Sequence, residues 1–224
     1  MKAMSICGNC ASLCYLDTTV RVPGPVDNWF AKKGFLSTMS LFTNFNQQLK
    51  TGWIKAVPRK KQYQEDCDTT FEYADYYCYH INMEEPKNVE KVMKRYESFI
   101  SFWKKVKTES DYYFVYTLNR IDINIKNKFK TLSNDTVSAL NEIKKFIPIE
   151  KLILVGTPMI NITEGFSSYV DIVPPFVNYL DIQDVKFCFM YKNHTDEMKS
   201  LKESFLNYAK RLKTSNVVIQ QKFI

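Results

Sequence analysis

The chain has 224 residues, 45% of them hydrophobic and 25% charged, with only 6 Gly and 8 Pro. That excludes a collagenous or low-complexity polymer and gives enough chain to bury a core without disulfide or metal staples. Its 31 basic and 24 acidic residues give a net charge of +7, enough to attract anions weakly but short of a dedicated nucleic-acid arm. No run approaches the roughly 20 apolar residues that a membrane-spanning helix needs, and Asn9, Asp17 and Arg21 interrupt the opening stretch, unlike a secretory leader. The expectation is a soluble, cytoplasmic protein with no specific nucleic acid and no membrane as partner.

Residues 3–7 are a short apolar run ending at Gly8-Asn9, and Cys10 to Leu16 reads as the opening of a helix, so the pattern predicts strand, tight turn, helix start. Val20 to Val22 is a brief extended segment. Pro23-Gly24-Pro25 then forbids regular helix and predicts a loop to about Asn28. Leu36 to Leu49 carries an approximate helical stripe, closed by Gly52. Trp53 to Val57 and Thr69 to Ile81 are rich in β-branched and aromatic residues and predict extended structure, with 52–70 as a peripheral hairpin or insertion.

After Pro86, Val89, Val92, Met93, Tyr96, Phe99, Ile100, Trp103 and Val106 recur at three and four residues, which sets them on one face of a long helix. Tyr112 to Leu118 is the uninterrupted apolar run of a strand buried on both faces. The pattern then repeats, with a helix over Ser133 to Phe146 capped by Ser133 or Asn134 and a strand over Lys151 to Val155. Residues 158–184 predict a long irregular connection with room for short strands, followed by a strand at Val185 to Met190, a helix at Asp196 to Leu212 and a last strand at Val217 to Ile219. Strands alternating with helices predict one α/β domain over 1–224, a largely parallel sheet with helices on both faces.

Ligands of such a sheet gather beyond the carboxyl ends of its strands. Cys10 falls at that edge, where unpaired N–H groups at a helix start favour a nucleophilic thiolate and can hold an oxyanion. Gly8 and Asn9 belong to the same turn as candidate oxyanion or site-lining residues. Only two histidines exist, His80 and His194. His80 closes the extended run at 76–80, the position of a base facing Cys10, whereas His194 reads as a loop or cap residue. A third group would orient the imidazole. Asp27, in the proline-stiffened loop, leads over Asn82, Asp75 and Asn119, with Trp29 beside it as a lining residue.

The stretches Ser5-Ile6-Cys7-Gly8-Asn9-Cys10 and Pro25-Val26-Asp27-Asn28-Trp29 resemble the opening of a family of papain-like cysteine peptidases whose members begin with Ser-Leu-Gly-x-Asn-Cys and continue with Pro-Phe-Asp-Trp. The family's histidine precedes a basic amphipathic helix, as His80 does here. The resemblance implies Cys10 as nucleophile, His80 as base and Asp27 as third member. This chain departs from the pattern at Cys7, where the family carries an apolar residue or Gly, at the inserted Asn28, and at His80-Ile81 in place of His-Asp.

Two other chemistries use the same cysteines. Cys7 and Cys10 have dithiol spacing, though no βα unit precedes them as in thioredoxin-like folds. Cys7, Cys10 and Cys14 with Cys78 or His80 make a poor zinc set, since no second C-x-x-C exists. The expectation is therefore a cysteine hydrolase or acyl transferase acting on an amide, ester or peptide bond, without metal or cofactor. Its substrate is a protein, a peptide or a small amide or ester. The alternative is a catalytically silent recognition module that meets a protein partner through a tyrosine-rich surface at 73–79 and 112–116.

Overall fold

The structure is a computed structural model that describes residues 1–6, 12–27, 29–50, 54–58, 69–73, 75–78, 81, 83–126, 129–156, 170–171, 178–181 and 195–214. In chain order it opens with β1 (Lys2–Ser5), α1 (Ser12–Tyr15), β2 (Arg21–Val22), β3 (Trp29–Ala31), α2 (Phe35–Thr43) and α3 (Phe45–Lys50). Next come β4 (Ile54–Pro58), β5 (Thr69–Tyr73), β6 (Tyr76–Cys78), α4 (Pro86–Thr108) and β7 (Tyr112–Thr117). The remainder is β8 (Ile123–Lys126), β9 (Phe129–Leu132), α5 (Asn134–Ile143), β10 (Leu152–Gly156), β11 (Val170–Asp171), β12 (Asn178–Asp181) and α6 (Thr195–Thr214).

The central sheet has the order β12-β10-β7-β1-β2, and every pair in it is parallel. The expected α/β architecture is what forms. Both faces of this sheet are covered, and the alternation of side chains shows why its strands read as unbroken apolar runs. Ala3, Tyr113, Val115, Ile153 and Val155 point to one face and pack with Tyr15 of α1 and Leu201 and Phe205 of α6. Met4, Phe114, Tyr116, Leu152 and Leu154 point to the other, under α2, α4 and α5.

An aromatic cluster fills that second face. Phe42 of α2 lies 5.2 Å from Phe99, 5.1 Å from Trp103 and 5.7 Å from both Phe114 and Phe146, centroid to centroid. Most of these contacts have the edge-on geometry that ring quadrupoles favour. The long helix predicted after Pro86 is α4, with Pro86 in its first turn, where its missing N–H costs nothing. Ser133 proves to be the cap of α5, its Oγ accepting the Thr136 N–H at 3.2 Å.

The structure differs from the sequence reading in several places. The stripe over 36–49 is two helices, since Asn44 leaves helical geometry at φ −138° and its N–H closes back on the Ser40 carbonyl. A Thr43-Asn44 pair favours such a break because both side chains compete for nearby backbone groups. β4 and β5 form the expected hairpin, extended by β6 and β3 into an antiparallel sheet of order β3-β6-β5-β4. The hairpin of β8 and β9, joined by β11, was not anticipated. β11 and β12 are short strands within 158–184, the connection read as having room for them; the strands predicted at 185–190 and 217–219 lie outside the described residues. Of the tyrosines proposed as a partner surface, Tyr76, Tyr113 and Tyr116 are core residues, and Tyr77 and Tyr112 are half-buried. Among the described residues no helix is long and apolar enough to cross a membrane.

Candidate functional site

In the central sheet β1 is followed by α1 on one face and then by β2 on its outer side, while the chain returns over the opposite face through α2, α3 and α4 to β7 on its inner side. Strand order therefore reverses between β1 and β7. In open parallel sheets this reversal leaves a crevice beyond the carboxyl ends of the two strands, because the connections on either side leave in opposite directions. The chain passes from Ile6, at the carboxyl end of β1, through 7–11 into α1. Cys7, Gly8, Asn9 and Cys10 lie outside the described residues, as do Asn28, His80, Asn82 and His194. Cys14 belongs to α1, its side chain likewise outside the description.

The segment from Arg21 to Asp27 is described throughout. After β2 the chain turns through Pro23-Gly24-Pro25 and packs against the carboxyl end of β1 so closely that a Cβ on Gly24 would stand 2.5 Å from the Ser5 carbonyl oxygen. Only glycine fits that approach. The turn carries Asp27 inward until it is 1% exposed. One carboxylate oxygen, Oδ2, accepts from Arg21 Nη2 at 3.0 Å and from the Gly24 N–H at 3.0 Å. The other, Oδ1, is buried and accepts no hydrogen bond among the described residues, and Arg21 Nε is likewise buried without an acceptor among them. Burial pushes the Asp27 carboxyl above its usual range, against the opposing pull of Arg21, the Gly24 N–H and Arg95.

Trp29, two residues on, is 1% exposed, with its ring 5.7 Å from Tyr76 and 6.1 Å from Phe45. It anchors the Asp27 segment in the core and presents no face to solvent. Its strand β3 pairs antiparallel with β6, with Trp29 opposite Cys78. Cys78 is itself a buried thiol. On the other side of the switch point the Tyr15 hydroxyl of α1 hydrogen-bonds Thr117 Oγ1 at the end of β7, tying the helix that follows Cys10 to the neighbouring strand.

The rivals to Asp27 have ordinary structural work. Asp75 is paired with Lys33 at 2.8 Å on a half-exposed surface. Asn119 accepts the Ile121 N–H at 2.9 Å and caps the turn after β7. Asn82 lies outside the described residues. Two polar residues were missed in the sequence. Arg21, the counter-charge of Asp27, sits six positions ahead of it in β2, and a pair across a proline loop has no spacing signature. Asp122, fully buried after β7, receives four hydrogen bonds from Phe35 N, Asn119 N, Tyr116 Oη and Thr136 Oγ1. The Asn119 N–H belongs to a capping box of Asn119 and Asp122, spaced three residues apart, but the other donors come from α2, β7 and α5 and leave no local pattern.

Comparison of the chain with protein-family models, with curated proteins and with solved structures finds no match in any of the three.

Proposed function

We propose that the chain is a cysteine-dependent hydrolase or acyl transferase for an amide, ester or peptide bond, with Cys10 as nucleophile, His80 as its base and Asp27 as the group that orients the imidazole. The observation that carries this reading is Asp27 Oδ1, buried with no donor among the described residues. A buried carboxylate with one oxygen clamped and the other left without a donor costs about 1–3 kcal/mol relative to a satisfied one. A third triad member has that form before it receives its imidazole N–H: fixed in direction, with one lone-pair face open.

Chain connectivity supports the juxtaposition. Asp27 precedes Trp29 by two residues and His80 follows Cys78 by two. Because Trp29 and Cys78 are opposite each other in an antiparallel ladder, both steps lead toward the same end of it, and two residues span no more than about 7 Å. Cys10 is likewise two residues from Ser12, the buried first residue of α1.

In this reading His80 takes the proton of Cys10, the thiolate attacks the carbonyl carbon, and the bond to the leaving amine or alcohol breaks as that group takes the proton from His80. Water or an acceptor nucleophile then cleaves the thioester. N–H groups around Gly8 and Asn9 hold the oxyanion. The substrate class extends to proteins, peptides and small amides or esters. A reducing, cytoplasmic setting belongs to the reading, since the nucleophile must remain a thiol.

The test is the rate of iodoacetamide labelling at Cys10, located by peptide mass spectrometry, in the native chain and in His80→Asn. An activated thiolate labels at pH 6 well over tenfold faster than a free thiol with a pKa of about 8.5. His80→Asn removes that excess. Labelling of native Cys10 at the free-thiol rate would leave the recognition module as the better description.

A further inference from the structure

β2 is the last strand of the central sheet, and its outer edge does not meet another described strand. It borders α4 across two grooves of about 450 and 410 Å³, which share Val22, Lys94 and Ser98 and so continue into one another. Together they follow α4 from Lys87 to Lys105, a helical length of about 27 Å at 1.5 Å per residue. The floor is apolar, with Val22 and Pro23 reaching it, while the rim is charged.

Among the described residues the rim carries six cations against two carboxylates, Glu90 and Glu97. Three of the six are already engaged: Lys87 with Glu85 at 2.8 Å, Lys105 over the Tyr112 ring, and Lys2 with the Thr19 carbonyl. Lys91, Lys94 and Arg95 have no carboxylate within ion-pair distance among the described residues. Lys91 and Lys94 are exposed, one helical turn apart, and face the same groove.

We propose that this groove binds an extended acidic peptide segment, its apolar side chains on the floor at Val22 and Pro23 and its carboxylates on Lys91 and Lys94. Three features select that occupant. A flat anionic bilayer cannot enter a concave groove. A nucleic-acid strand calls for stacking rings, but among the described residues the rings lining the grooves are Phe102, buried in the core, and Tyr112, covered by Lys105. The two rim carboxylates would also repel an unbroken run of phosphates, whereas a peptide alternating acidic and apolar residues can place its charges between them. Addition of a strand to β2 is not the mode, because β2 has two residues and Pro23 follows. The proposal stands apart from the thiol chemistry.

The probe is a fluorescein-labelled peptide of about eight residues alternating Glu and Leu, long enough when extended to span the groove at about 3.3 Å per residue. Anisotropy against the full chain is expected to show saturable binding that weakens with salt. Lys91→Glu with Lys94→Glu should weaken it at least about tenfold, while Lys91→Arg with Lys94→Arg should retain it. Both sites are exposed, and an unchanged thermal midpoint would show that the double variant still folds. The proposal fails if the acidic peptide does not bind, if the Gln-for-Glu peptide binds equally, or if the charge-reversed chain binds as well as the native one. It also fails if a single-stranded RNA of equal charge displaces the peptide and binds more tightly through the same lysines, which would make the groove a phosphate track.

Discussion

Arg21 Nη2 donates to Asp27 Oδ2 at 3.0 Å, while the remaining oxygen of the same buried carboxylate accepts nothing among the described residues. Arg21 compensates the charge only in part, so burial still wins and the carboxyl is raised. A raised folded-state value means that the fold holds the proton more tightly than the unfolded chain. The Asp27 contribution to stability is thus full below about pH 4, the ordinary carboxyl range, and is lost as pH rises through the folded-state value. Urea unfolding of the native chain and of Asp27→Asn at a series of pH values checks this: the stability of the native chain relative to the variant should fall as pH rises through that window and then level off. A difference that grows with pH would mean that the Arg21 attraction outweighs burial.

Arg21→Gln sharpens the same argument. It removes the largest opposing influence on Asp27, so the pH window should move upward. Breaking a buried pair from one side costs about 3–5 kcal/mol, and the 24% exposure of the Arg21 side chain lowers that figure here. A loss of about 1–3 kcal/mol at neutral pH, shrinking toward pH 4, is expected from denaturant titration.

Gly24→Ala tests the seat of the Asp27 turn. The added methyl would meet the Ser5 carbonyl at 2.5 Å and Asp27 Oδ1 at 3.0 Å. The first of these is backbone at the carboxyl end of β1, a strand paired on both sides, and has little room to shift. The expected cost is about 1–3 kcal/mol, as for overpacking elsewhere, read as a lowered thermal midpoint. Labelling of Cys10 at pH 6 should slow as well, because the loop carrying Asp27 has to lift off β1.

These contrasts show which parts of the molecule the sequence carries openly. Strands such as β7 and β10 are legible because burial on both faces forces an uninterrupted apolar run, and α4 because 23 residues repeat one stripe. The hairpin of β8 and β9 stands out less, since its apolar-polar alternation, Ile123-Asn124-Ile125-Lys126, lasts only four residues. Asp27 could be picked out by its place after two prolines, but its burial and its bond to Arg21 depend on β2 and β1 coming together. The pairing of Trp29 with Cys78, which brings the two halves of the candidate site into one ladder, joins residues 49 positions apart, and register over such a separation leaves no trace in local pattern.

Phe42→Ala addresses the aromatic face. Phe42 touches four rings, from α4, β7 and the segment after α5, and is 6% exposed. Emptying that position should cost about 3–5 kcal/mol, the usual range for a buried Phe truncated to Ala. Equilibrium unfolding in urea checks it, and a loss under 1 kcal/mol would mean that the four rings close over the gap.

The last prediction concerns Asp122, whose four donors are divided evenly. Oδ1 accepts the Phe35 N–H at 2.6 Å and the Thr136 hydroxyl at 2.9 Å; Oδ2 accepts the Asn119 N–H at 2.9 Å and the Tyr116 hydroxyl at 2.8 Å. Each oxygen faces one backbone N–H, which can only donate, and one hydroxyl, which can reverse. An aspartate satisfies this set ionised or protonated, because a carboxyl O–H can donate to a hydroxyl while its oxygen still accepts an N–H. An asparagine cannot, since whichever way it is turned its NH2 meets a backbone N–H. Asp122→Asn is therefore not conservative and should cost about 2–4 kcal/mol, the penalty of stranding a buried donor or two. Asp122→Ala strands all four donors and should cost more. Gly34, at φ +60°, has its would-be Cβ against Oδ1, so Gly34→Ala should also destabilise by displacing this carboxylate. Thermal and urea unfolding of the three variants decide the matter. If Asp122→Asn matches the native chain, the two N–H groups must find other acceptors, and Asp122 does not join α2, α5 and the turn after β7.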